Sequence, residues 1–317
     1  NERASRFPLP YSRLPYNDQQ DLLKGAVNLL HDFSPEFREK LTRSGFHLRV
    51  HSDVPRQSGL GGSSLFALLA LTGLRELYKL DRRKHNDYVI SELAQRVEAK
   101  ELGIAAGFAD RYVPLFGGLA YVDYRSKLLQ TDIHTEPYAT YERLDSIAPP
   151  ITFVAVSTGV RHNSGDVHGR MRPRYLQEYA EWQARGGEMP PMLKFMSAAW
   201  ECAWKGKIAL LQNDLETFGG LMNQNHLLVD EMMRYCGFED GAGWANNLFI
   251  DSALRHDALG AKLTGAGGGG SVFALVRPGM EEYLLGVWGK LARERGLNEA
   301  YVYRLHVAKQ GLIVSEK

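Results

Sequence analysis

Apolar residues recur along the chain with two periods, and helices and strands are placed from them. Between Asp21 and Leu41, Leu22, Leu23, Val27, Leu30 and Phe33 fall near helical spacing. The segment FHLRVHSDV alternates instead, with Phe46, Leu48 and Val50 opposed to His47, Arg49 and His51, which predicts a half-solvated strand. Helix formers dominate Leu65 to Tyr78, and a further helix is expected over Asn86 to Leu102. The glycine-rich junction GIAAGFADRYVPLFGG then leads to a strand at LAYVDY, and IAPPITFVAVSTG feeds another. A long polar helical stretch follows. From Asn213 to Met233, Leu215, Phe218, Leu221, Met222, Leu227, Leu228 and Met232 form an apolar face that core packing accounts for. The tail alternates strand and helix through AKLTGAGGGGSVFALV, MEEYLLGVWGKLARERG and AYVYRLHV. The first 20 residues carry three prolines and no clean period, so coil is expected there.

At 317 residues the chain is about twice a usual domain, so two domains come before one large one. The boundary is expected near Pro149 and Pro150, dividing residues 1–150 from residues 151–317. Lys plus Arg at 38 against Asp plus Glu at 37 gives a charge of +1, without the basic excess that a nucleic-acid footprint needs. No apolar run approaches the roughly 18 residues of a membrane span. Cys202 and Cys236 are the only cysteines, which excludes a disulfide scaffold and a cysteine-rich zinc site and favours a reducing, cytoplasmic setting. No apolar stretch follows NERASR, so a secretory leader is not expected. The histidines, His226 and His306 included, have no metal-site spacing.

Two glycine loops stand out. Gly59-Leu60-Gly61-Gly62-Ser63-Ser64 lies between the expected strand and the Leu65 helix. Glycines let backbone amides converge, and a helix start leaves amides unpaired, so the loop suits phosphate oxygens, with serine hydroxyls for phosphate or Mg²⁺. It lacks the lysine of GxxxxGK[ST] and the spacing of GxGxxG. The alternative is a tight turn with Ser63 or Ser64 as N-cap. The second loop, Gly265-Ala266-Gly267-Gly268-Gly269-Gly270, is costly in entropy and points to close backbone approach to another element or a ligand. Glu98 and Asp110 are carboxylates late in one helix and in the loop after it, able to flank one cleft. A solvent-facing helix end, with Asp110 and Arg111 as a surface pair, is the other reading.

PRQSGLGGSSLFA, from Pro55 to Ala67, resembles the nucleotide-binding motif of the GHMP small-molecule kinases, and LTGAGGGGSVFAL resembles their carboxy-terminal glycine motif. The resemblance runs from about residue 20 onward, and the two motifs in this order are specific to that superfamily. It implies an α+β fold of two domains. The first would resemble ribosomal protein S5 domain 2, the second would be ferredoxin-like, and ATP would bind near their junction. The early substrate motif of such kinases has no counterpart in NERASRFPLPYSR. By this resemblance Gly59, Leu60, Gly61, Gly62, Ser63, Ser64, Gly265 and Gly267 would meet the nucleotide. Ser64 and Glu98 would hold Mg²⁺. Asp110, in Gly107-Phe108-Ala109-Asp110 with Gly117-Gly118 behind it, would accept or align the proton of a sugar hydroxyl. Arg111 either pairs with Asp110 or reaches substrate.

Within the superfamily, the segment Pro55 to Gly59, the run Glu98 to Arg111 and the stretch Val167 to Leu176 look most like glucuronokinase, with heptose 7-phosphate 1-kinases as the nearest rival; both phosphorylate an anomeric hydroxyl. Their acceptors are anions, which suit charge-assisted contacts from Arg161, His162, His168, Arg172 or Arg174. The alternative is a solvated charge cluster opening a helix. One of Asn223, Gln224 and Asn225 would touch sugar or all three are polar filler. A catalytically weak metabolite-binding protein is the reading from another class. The partner expected is a small-molecule sugar or sugar acid, with no nucleic acid and no membrane, and a homodimer stays open.

Overall fold

The computed structural model describes residues 5–54, 58–125, 127, 132–133, 138–161 and 163–315. The helix expected from Asp21 to Leu41 is two helices, α1 (Asp21–Phe33) and α2 (Pro35–Arg43). Pro35 forces the break: its ring disfavours a helical residue before it, and Ser34 is extended at φ −109°. Ser34 then caps α2, its Oγ accepting from the Phe37 amide at 3.0 Å. Helix α3 (Gly62–Leu77) packs between α1 and α4 (Asp87–Arg96), and Leu30, Leu68, Leu71, Leu74, Ile90 and Leu93 form the buried centre. Asn86 caps α4, and past Arg96 the helix widens into a π turn, Val97–Glu101, closed by Leu102 N–H on the Val97 carbonyl at 3.2 Å.

The strand expected at Phe46–Val50 is a correction. Phe46 and Leu48 pack on the core while His47, Arg49 and His51 are exposed, so the alternation is present. Yet none of the strands in the described residues pairs with this segment, and it stays an extended chain without a ladder. A 3₁₀ turn (Ala109–Arg111) and the short helix α5 (Val113–Phe116) lead to a two-stranded antiparallel ribbon, β1 (Ala120–Asp123) with β2 (Thr140–Arg143).

From β3 (Thr152–Ser157) the architecture changes. Helices α6 (Ser164–Arg185), α7 (Pro191–Leu211), α8 (Leu215–Tyr235) and α9 (Trp244–Arg255) precede β4 (Gly260–Thr264) and β5 (Ser271–Val276). Helix α10 (Glu281–Glu294) and β6 (Tyr301–Leu305) complete it. The strands form one antiparallel sheet in the order β4-β5-β3-β6, a βαββαβ arrangement of ferredoxin-like type with several helices in its first crossover. Val154, Val156, Val272 and Ala274 face Phe249 of α9 and Trp288 of α10, all of them fully buried. Asn223 accepts the Ala261 amide at 2.8 Å, which ties α8 to the β4 edge and gives that amide a structural task. The last strand hands the chain back to the amino-terminal half. Gly118 N–H donates to the Ala308 carbonyl and Leu312 N–H to that of Pro114, both at 2.7 Å, and Leu312 packs on the first core. The result is a two-domain α+β fold. No helix among the described residues is long and apolar enough to cross a membrane.

Candidate active site

The Ser58–Ser64 loop delivers the chain into α3 with no side-chain cap. Gly61 occupies the N-cap position at φ +68°. Neither Ser63 nor Ser64 caps, so the expected serine N-cap is corrected: both hydroxyls turn to Glu98 instead. The amides of the first α3 turn therefore face out of the helix end, a geometry suited to anions. A β-carbon on Gly59 would lie 2.6 Å from the Thr264 carbonyl oxygen, and one on Gly265 would lie 2.8 Å from Gly59 Cα. The two glycine loops thus touch backbone to backbone. Thr264 Oγ1 donates to the Gly59 carbonyl at 3.1 Å and Ser271 Oγ to that of Ser58 at 2.7 Å. Gly267 turns inward, where a β-carbon would meet Met233 Sδ at 2.7 Å. The second loop is a brace behind the first: Gly265 is needed for its contact with Gly59, and Gly267 for its own packing on Met233 and Leu263.

Glu98 lies on the π turn and is buried, 6% exposed. Ser63 Oγ donates to its Oε2 at 2.9 Å and Ser64 Oγ to its Oε1 at 3.3 Å. Arg111 Nη2 donates to the same Oε1 at 2.9 Å. Of the two readings of Arg111, the pair with Asp110 is thereby corrected. Arg111 is 2% exposed, is turned to Glu98 and to the Gly107 carbonyl, and does not line the open cleft. Its Nε is buried without a partner. Among the described residues, no group of three or more His, Cys, Asp or Glu side chains could hold a metal ion. One carboxylate beside two hydroxyls nevertheless fits Mg²⁺, which takes hard oxygen ligands, keeps several waters, and completes its shell with substrate phosphates.

Asp110 is exposed and stands against the phosphate loop: a β-carbon on Gly61 would lie 3.1 Å from Asp110 Cβ and 3.6 Å from its Oδ2. Behind it, Tyr124 donates its hydroxyl to the Phe108 carbonyl at 3.0 Å. Burial pushes the Tyr124 phenol well up, and the Asp110 charge adds to that. Lys127 sits 4.9 Å from the centre of the Phe108 ring and pairs with the buried Glu92. Tyr112 and Arg96 bond to Glu92 as well. Burial alone would raise the Glu92 carboxyl, but the hydrogen bonds from Lys127 and Tyr112 outweigh it and hold the group below the usual range. Sequence reasoning passed over this network. Its signal was a glutamate inside α4, a helix in which every residue from Val89 to Arg96 is buried.

Across from Asp110 runs α6. His168 and Arg172, one turn apart, share a face. The His168 ring lies 3.5 Å from where a Gly107 side chain would begin, and the Arg172 guanidinium is 5.4 Å from the Phe108 ring centre. Arg174 turns elsewhere, donating to Glu178 at 2.8 Å and to the Tyr235 hydroxyl at 2.7 Å. Arg161 is 73% exposed and lies 3.8 Å from Glu299. His162 and Pro55–Gln57 lie outside the described residues.

A two-domain α+β fold that brings a glycine-rich helix start together with an exposed aspartate and a buried glutamate is an arrangement suited to phosphoryl transfer to a small molecule. Residues 21–118 match the GHMP kinases N terminal domain, and residues 248–284 match GHMP kinases C terminal. The chain is 30% identical to probable glucuronokinase 2 of Arabidopsis thaliana over 280 residues, covering 86% of this chain and 70% of that one. It is 28% identical to glucuronokinase 1 of the same plant over 264 residues, covering 83% and 67%. Lactococcus lactis galactokinase complexed with galactose superposes with a TM-score of 0.66 at 19% identity, covering 96% of this chain and 79% of that one, which shows the shared fold. The chain belongs to the GHMP kinases, ATP-dependent kinases of small molecules.

Proposed function

We propose that the chain transfers the γ-phosphoryl group of ATP to the anomeric hydroxyl of an acidic sugar, D-glucuronate before others. The observation that supports the acidic acceptor is the polar face of α6, with the Arg172 guanidinium over the Phe108 ring and the His168 ring against Gly107, on the segment that leads into Asp110. A carboxylate at the far end of the sugar would meet that face while its anomeric hydroxyl meets Asp110. The two relatives named glucuronokinase point the same way.

In this reading residues 1–150 bind ATP and residues 151–317 close over the acceptor. Gly59–Ser64 hold the phosphates through backbone amides. Ser64 and Glu98 would hold Mg²⁺, which when bound neutralises charge on the β- and γ-phosphates. Asp110 aligns the acceptor hydroxyl and takes its proton as that oxygen bonds to the γ-phosphorus and the bond to the departing ADP oxygen breaks. An ADP-release assay across glucuronate, galacturonate, galactose, D-glycero-D-manno-heptose 7-phosphate and mevalonate tests the acceptor, with ³¹P NMR locating the new ester. Glucuronate 1-phosphate as the best product is the expected result. Preference for an uncharged sugar, or phosphorylation at another hydroxyl, would refute it, and preference for the heptose phosphate would move the assignment to a phosphorylated acceptor.

A further inference from the structure

Arg111 lies next to Asp110 in sequence, yet its guanidinium reaches Glu98 Oε1 at 2.9 Å and the Gly107 carbonyl, with 3% of the side chain exposed. Glu98 already accepts from both loop serines, one on each carboxylate oxygen. A guanidinium keeps its charge under all ordinary conditions and offers only donors. The carboxylate that faces the phosphate loop therefore carries a permanent cation on its inner side.

We propose that Arg111 is the resident counter-ion of Glu98 and makes divalent-cation binding at the phosphate loop conditional on nucleotide. A bare divalent cation beside Glu98 would sit a few ångströms from a fixed positive charge, and with Glu98 and Arg111 both buried water screens that repulsion only in part. The triphosphate brings negative charge that offsets this repulsion, so the cation arrives with its nucleotide. The other arm of the same guanidinium holds the Gly107 carbonyl, which makes Arg111 a positioning residue for the loop that carries Asp110. The buried, unpaired Nε fits a side chain placed for these two contacts at the cost of a third.

The inference rests on the reading of Glu98 as a cation ligand, and the test separates the two. Mn²⁺ is titrated into the whole chain without nucleotide, and free Mn²⁺ is counted by its electron paramagnetic resonance signal. Arg111→Met and Arg111→Gln should each bind Mn²⁺ at least about tenfold more tightly than the parent, because a like charge has been removed. Arg111→Lys keeps the charge and should stay within about threefold of the parent. The gain should vanish in the double variant Glu98→Gln/Arg111→Gln. Either neutral variant suffices, provided its circular dichroism matches the parent. A folded neutral variant that binds Mn²⁺ no more tightly, a lysine variant that tightens equally, or a gain that survives loss of the Glu98 charge overturns the proposal. Glu98→Gln alone is titrated with Mn²⁺ and ATP together. Unchanged affinity there would sink the metal reading of Glu98 itself, and weakened affinity without any effect of neutralising Arg111 would sink only the counter-ion.

Discussion

Gly61 and Asp110 are in contact across the candidate active site, with the missing β-carbon of the first 3.1 Å from the β-carbon of the second. Phosphate loop and acidic loop thus approach so closely that a side chain at position 61 would crowd Asp110. Gly61 also sits at φ +68°, in the left-handed region.

Gly61→Val meets both constraints at once. A β-branched residue in that conformation is strained by about 1–3 kcal/mol, and its methyls would push Asp110 outward. ATP affinity by calorimetry should fall at least about tenfold, and turnover with it, while circular dichroism stays native. Unaltered ATP binding in the folded variant would remove this loop from the nucleotide site.

Asp110→Asn keeps shape and most hydrogen bonding but removes the charge. If Asp110 aligns and deprotonates the acceptor, kcat should drop by about 100-fold or more. The dissociation constant of ATP should stay put, and kcat/KM should fall as far as kcat, the pattern of an interaction made in the transition state. Near-parental turnover on the best sugar would leave Asp110 with a structural role.

Arg172→Ala separates acidic from neutral acceptors. Losing one charge-assisted contact should raise KM for glucuronate by about tenfold, with little change for an uncharged hexose. Arg174→Ala is the control, since that guanidinium is engaged by Glu178 and Tyr235 on the far side of α6. Equal KM effects on both sugars would mean that Arg172 supports Phe108 rather than reading substrate charge.

Glu92 makes a prediction about pH. Its carboxyl is held below the usual range in the folded chain, and an unfolded glutamate titrates near about 4.3. The stability it contributes is therefore fully present above that value and is lost as pH falls through the lower folded-state value. Urea unfolding of Glu92→Gln and the parent should differ most at pH 6 to 7, and the difference should shrink progressively as pH falls below about 4.3. A difference that is constant across that range would assign the effect to packing rather than charge.

Much of this architecture was legible in the sequence because it is local. The glycine runs mark positions where a β-carbon is excluded, and helical or alternating periods mark faces. Gly59–Ser64, the helix after it, and β3, β5 and β6 were readable for that reason. The Phe46–Val50 alternation was also real, as the burial of Phe46 and Leu48 shows. A period of two reports only which side faces the core, however; a strand needs a partner's amides and carbonyls, and none of the described strands supplies them.

Tertiary structure decided the pairings. Nearness in sequence suggested Asp110 for Arg111, but adjacent residues on a tight turn diverge, and the guanidinium found Glu98 across the fold. Arg172 and Arg174 look equivalent in the chain, yet two residues are about 200° apart on a helix, so one faces Phe108 and the other Tyr235. Glu92, Tyr112 and Lys127 come together from a helix, a turn and a loop around one buried carboxylate. A sequence states which charges exist and which face of their own element they occupy. Which opposite charge each one meets depends on how the elements pack, because only packing removes the water that would otherwise satisfy them all.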